Sequence, residues 1–144
     1  MSLNNNSNFT WSIPMKLSIS QVATETGLSI KSIRHYESIG LIGSPPRDKN
    51  DYRFYPEEMV KQLHFIHKTK LAGFNLKECK ALLLLCEDEH RSSADVKKIA
   101  LQKIQEIELR IQQQQAIVNQ LKRITEQCPG NEQSQCSIID AFNT

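Results

Sequence analysis

The stretch that most limits what this chain can become is the run from Ser93 to Gln127, which contains neither glycine nor proline. Ser92-x-x-Asp95 offers an N-cap at its head, and Pro129 is the first residue beyond it that would stop a helix. Ile104, Ile107, Ile111, Val118 and Leu121 keep a 4-3 spacing along the run if Gln114 fills one slot. At about 1.5 Å per residue a helix over that span is about 50 Å long, too long for so small a protomer to cover. A partner helix is implied, most simply from a second copy, and the fold class is mainly α with a long coiled-coil dimerisation helix.

Upstream, the chain is punctuated by helix signals. Ser18 and Gln21 form a capping box for a short helix that ends at Gly27, and Ser29 caps a second helix carrying Ile30, Ile33 and Tyr36. Two short helices across a tight turn containing glycine read as a helix-turn-helix, whose second helix can enter a major groove about 12 Å wide. Lys31, Arg34 and His35 fall on one face of that helix, away from the apolar stripe. Pro45 and Pro46 then exclude helix, and Tyr52-Arg53-Phe54-Tyr55 follows Asn50-Asp51. We read a small hairpin or wing, with Arg53 and Tyr55 on one side and Tyr52 and Phe54 on the other. Arg53 and Tyr55 on an exposed face would suit phosphate contacts, which position a protein on DNA without reading its sequence. Pro56, at the first helical position, opens a helix running to Lys70, and Asn75-x-x-Glu78 caps another carrying Leu76, Cys79, Leu82, Leu83 and Cys86. Cys79 and Cys86 are expected to be buried on its apolar face.

The formal charge of +2 selects no partner, but its distribution is informative. Lys31, Arg34, Arg47, Lys49 and Arg53 cluster against Glu37, Asp48 and Asp51, with aromatic and imidazole rings interleaved. No apolar run approaches the roughly 20 residues of a membrane span, so no membrane partner is expected. Four cysteines without a basic-then-apolar leader point to a reducing cytoplasm. No Ser-His-Asp set, carboxylate pair or glycine-rich phosphate loop is visible, so an enzyme is not expected. The organisation read from these signals is a disordered lead-in over 1–15, with Met15 a candidate start, a winged helix-turn-helix head with helical connector over 16–84, a dimerisation region over 85–127, and a metal-binding loop with a short C-terminal helix over 128–144.

The loop Cys128-Pro-Gly-Asn-Glu-Gln-Ser-Gln-Cys136 carries the chemistry. Two thiols there can bind metal, switch as a reversible disulfide, or do neither on a frayed tail. A structural zinc site wants four ligands and this loop offers two with no histidine, whereas soft thiolates favour Cu(I). Two thiolates around a monovalent ion leave a net negative charge, which the N-termini of a tail helix near Cys136 and of the long helix near Ser93 could offset. His64 and His67 lie close on one helix but lack a third ligand.

Ile19-Ser-Gln-Val-Ala-x-x-x-Gly27-Leu-Ser, Ile33-Arg34-His35-Tyr36-Glu37-x-x-Gly40-Leu41, Tyr52-Arg53-Phe54-Tyr55 and Gly73-Phe74 together resemble the MerR family of effector-responsive transcription regulators. Ser93-Ala-Asp-Val96 and the Cys128 to Cys136 loop are similar to its copper-responsive (CueR-like) branch. The resemblance implies DNA contacts at Lys31, Arg34, Tyr36, Arg53 and Tyr55, with His35 a neighbour. It implies metal ligation by Cys128 and Cys136, with Ser93 beside them from across the dimer seam. Relatives that sense divalent ions carry a cysteine at the position of Ser93, so serine there implies a monovalent effector: Cu(I), with Ag(I) or Au(I) as alternatives. The implied partners are double-stranded promoter DNA, a second copy of the chain as homodimer with its long helix in an antiparallel coiled coil, and RNA polymerase, with activation by distortion of the promoter. Asp51 departs from the family, which commonly has glycine after asparagine in the wing turn; aspartate tolerates a left-handed backbone better than most residues.

Overall fold

The computed structural model describes residues 16–144, so the expected disorder of 1–15 lies outside the described residues. The chain divides into two compact units, one through Arg91 and the other Ser92–Thr144.

The first unit holds four helices, α1 (Ile19–Thr26), α2 (Ile30–Ser38), α3 (Glu57–Leu71) and α4 (Leu76–Glu87). Each starts where the local chemistry dictates. Both arms of the Ser18–Gln21 capping box form, and Gly27 closes α1 in the left-handed conformation at φ 77°, which glycine adopts without a Cβ penalty. Ser29 accepts from the Ser32 N–H to cap α2, and the Asn75–Glu78 box forms in full at α4. Pro56 sits one step earlier than expected: its extended ψ of 158° makes it the N-cap, and α3 begins with Glu57 and Glu58 in the first turn, where their charge suits the positive helix end. Val22, Ile33, Val60, Leu63 and Ile66 are fully buried in a core shared by α1, α2 and α3 and closed by Leu17, Leu41, Ile42, Tyr55 and Leu83. Burial of each aliphatic side chain contributes about 1.5–3 kcal/mol. Cys79 is buried as expected. Cys86 is exposed, a correction: it lies in the last turn of α4, beyond the layer that covers Leu82 and Leu83.

Among the described residues no strand forms; the wing is a ribbon held by one antiparallel bridge, Arg47 to Arg53. The Asp48 carboxylate accepts from the Asn50 and Tyr52 N–H groups at 2.9 and 3.0 Å, and Asp51 takes φ 66°, the left-handed turn expected of it.

The second unit is α5 (Ser93–Gln127), 35 residues long, followed by a loop and α6 (Ser137–Phe142). Ser92 caps α5 by accepting from the Ala94 N–H. Along it Ile104, Ile111, Val118 and Leu121 are exposed in the single chain. Gln114 lies beside Ile107, Ile111 and Val118 on one apolar face, the slot the spacing assigned to it.

Candidate functional site

Two sites are built, one in each unit. In the head, α2 exposes Lys31, Arg34 and His35 while burying Ile33 and Tyr36, so the cationic face and the packing face separate as the spacing predicts. Ile30, expected in the apolar stripe, is 38% exposed because it is the first residue of the helix. Tyr36, expected from the resemblance to contact DNA as well as to lie in that stripe, is buried at 7% exposure, and burial, followed by the neighbouring Cys79, pushes its phenol up.

Tyr55 is a correction. It was expected to share an exposed face with Arg53, yet it is 1% exposed. Its N–H donates to the Leu17 carbonyl at 2.8 Å, pairing the chain ahead of α1 with the segment entering α3. Its hydroxyl donates to Glu37 Oε1. Strand alternation fails here because the ribbon has already left the wing and joined the core. Burial, and then the hydrogen bond to Glu37, push the Tyr55 phenol well above its ordinary value.

Arg53 remains half-exposed, with Nη1 3.5 Å from Glu37 Oε2. Arg34, Glu37, Ser38, Ser44, Arg47 and Arg53 line an open polar cleft of about 610 Å³. Three guanidiniums against one carboxylate make this cleft cationic, suited to an anionic partner. Arg47 is braced from within the wing, donating to the Asp51 carbonyl at 2.9 Å. Sequence reading missed the roles of Glu37 and Arg47; both were visible only as charges, and the cleft needs α2 and the wing to be brought together.

In the second unit Cys128 is the C-cap of α5 and Cys136 the N-cap of α6. Their sulfurs are 3.8 Å apart. That exceeds a disulfide bond of about 2.05 Å, so the two thiols are unbonded neighbours, a donor pair of the soft kind. Gly130, at φ 62°, turns the loop back, and Ser137 Oγ donates to the Ile124 carbonyl at 3.1 Å, tying the start of α6 to the last turns of α5. The backbone N–H groups of Ile139 and Ile138 hold the Cys136 thiol below its ordinary value, and the Cys128 thiol adds to this, while Asp140 opposes it. Among the described residues no group of three or more His, Cys, Asp or Glu side chains gathers to hold a metal. Ser93 is exposed at the opposite end of α5 from the cysteines, about 50 Å away at about 1.5 Å per residue.

Comparison with known proteins accounts for both units. The family model for the MerR helix-turn-helix regulatory proteins matches residues 17–85, and that for the MerR DNA-binding region matches residues 60–124. The transcriptional regulator CueR of Salmonella typhimurium is 44% identical over 124 residues, covering 86% of this chain and 90% of its own. Among solved structures, the lead(II) complex of PbrR691 from Ralstonia metallidurans superposes with a TM-score of 0.74 at 21% identity, covering 88% of this chain and 98% of that one. The mercury(II) complex of the dual-function regulator MerR from Bacillus megaterium does so with a TM-score of 0.67 at 28% identity, covering 89% and 100%. The family-model matches over residues 17–85 and 60–124, with a relative 44% identical over 86% of the chain, place it in the MerR family of transcriptional regulators.

Proposed function

We propose that this chain is a metal-responsive transcription regulator that binds promoter DNA as a homodimer and activates transcription on binding a monovalent coinage metal ion, Cu(I) foremost. The observation that carries the reading is the pair of sulfurs 3.8 Å apart at the junction of α5 and α6. The donor set fits such an ion: two soft thiolates, N–H groups that favour the negative form of Cys136, and no third ligand in the described chain. Cys128 and Cys136 would hold the ion, which would supply one positive charge to offset the two thiolates. Ser137, donating to the Ile124 carbonyl, ties the start of α6 to the end of α5 beside them.

The relatives named CueR support the copper branch, and relatives solved with lead(II) and mercury(II) support a metal effector more broadly. Lys31, Arg34, His35 and Arg53 form the DNA face; Tyr36 and Tyr55, being buried, shape it from behind. The exposed apolar face of α5 is the dimer seam, which in antiparallel pairing brings Ser93 of each copy to the loop of the other. Bending and untwisting a promoter costs about 1–6 kcal/mol by elastic estimates, so that polymerase engages it only in the activating state. The effector acts by favouring that state over the repressing one through a difference in affinity. No described helix is long and apolar enough to cross a membrane, and a cytoplasmic location accords with DNA and polymerase as partners.

Titration of the reduced, anaerobic protein with Cu(I), Ag(I), Zn(II) and Hg(II), read by promoter transcription in vitro, tests this. Activation by Cu(I) and its loss in C128S and C136S are expected; a response to Zn(II) alone would overturn it. The same 3.8 Å gap also admits a redox switch in which the two thiols lose two electrons and two protons to an oxidant to form a disulfide. Activation by oxidant in metal-free protein would favour that second reading.

A further inference from the structure

We propose that Glu37 is a positioning residue of the DNA interface, fastening the wing to the recognition helix so that Arg53 is held toward phosphate in register with Arg34. The inference rests on the DNA-binding reading of the head. Glu37 stands on α2 with its side chain 11% exposed, and its two oxygens are divided between two partners. Oε1 accepts from the Tyr55 hydroxyl and Oε2 faces Arg53 Nη1 at 3.5 Å. Tyr55 is in turn fixed by its backbone bond to Leu17 and by burial in the core. A continuous path therefore runs from the lead into α1, through Tyr55 and Glu37, to a guanidinium on the wing.

A carboxylate in a cleft meant for a polyanion requires explanation. By Coulomb's law alone Glu37 repels phosphate, and its removal would tighten DNA binding. By positioning, it restrains a long flexible arginine before DNA arrives, and its removal loosens binding through the ordering Arg53 must then undergo. The two accounts differ in sign.

The test is fluorescence anisotropy of the full-length protein on a DNA duplex selected from a random-sequence pool by the wild type, measured across salt concentrations. E37A is expected to bind about tenfold more weakly, the size of one charge-assisted contact, with a salt slope shallower by about one. E37A/R53A should bind no more weakly than R53A, whereas E37A/K31A should show both losses in full. E37A binding as tightly as wild type or tighter, or a full additional loss in E37A/R53A, would overturn the proposal. Should E37A lose its helical circular dichroism, E37Q decides alone. It keeps an acceptor for Tyr55 but not the charge facing Arg53, so about threefold weaker binding with the shallower slope is expected, and equal or tighter binding overturns the inference. If the wild type selects no duplex, the DNA-binding reading itself fails, a distinct result.

Discussion

Tyr36 and Tyr55 both carry phenols that burial pushes above their ordinary value of 10.0. The sign of the resulting pH dependence follows directly. The unfolded chain loses these protons first as pH rises, so the stability they confer is fully present below about pH 10 and is lost above it. Urea unfolding of wild type and Y55F, followed by circular dichroism from pH 8 to 11, should show the gap between them widest at pH 8. Part of that gap is the hydrogen bond to Glu37, worth about 1.5–3 kcal/mol for a charged partner. A gap that stays constant through pH 11 would refute the assignment. Asp51 offers a second test at this scale. Its φ of 66° is costly for a side chain with a Cβ, by about 1–2 kcal/mol for ordinary residues and less for aspartate. Its ion pair with Arg47, 3.6 Å long and exposed, is worth little. D51V should therefore lower stability by about 1–2 kcal/mol, while D51G should leave the melting temperature unchanged or raise it.

At the scale of elements, the turn between α1 and α2 is set by the Gly27 C-cap of the first and the Ser29 N-cap of the second. Gly27 there is constrained twice, by its φ of 77° and by His67 Nε2, which would lie 3.3 Å from an added Cβ. G27A should cost about 1–2 kcal/mol from the backbone alone. H67A in the same chain should recover only the steric remainder, a division that chemical denaturation of the single and double variants measures. The helix caps around this turn were legible in the sequence because each is settled within four residues by a side chain and the N–H groups it faces. The wing was legible as a turn but not as a surface. Alternation assigned Tyr55 to the side of Arg53, yet the pairing of Tyr55 with Leu17 joins segments far apart in sequence, and no local pattern encodes it. Cys86 was misplaced for a related reason: helical spacing gives a face, but not how far along the helix the neighbouring core extends.

For the whole molecule, the length of α5 decides which copy's Ser93 meets the cysteine loop under the proposed dimeric reading. Ser93, the cysteine pair and their separation were all legible, since the residue types and the unbroken helical run are local facts, and α5 spans the predicted residues; the closeness of the two sulfurs was not, because it depends on how the loop turns α6 back. About 50 Å lies between them along one chain, so Ser93 does not reach its own loop, and the proposed antiparallel pairing would set it against the loop of the other copy. A cysteine introduced at this position should add a third thiolate and broaden the response toward Zn(II) or Hg(II). The geometry further requires that it act in trans. Heterodimers can be isolated with two different affinity tags and assayed for transcription. Pairing an S93C/C128S/C136S chain with a wild-type chain leaves one intact loop facing the introduced thiol, and a divalent response is expected. Pairing an S93C chain with a C128S/C136S chain leaves the intact loop facing serine, and the response should stay monovalent. Equal divalent responses from the two heterodimers would show that Ser93 does not reach the partner's loop, and would remove the antiparallel seam from the mechanism. An unchanged metal profile in the S93C homodimer would reduce Ser93 to an ordinary residue in the first turn of α5.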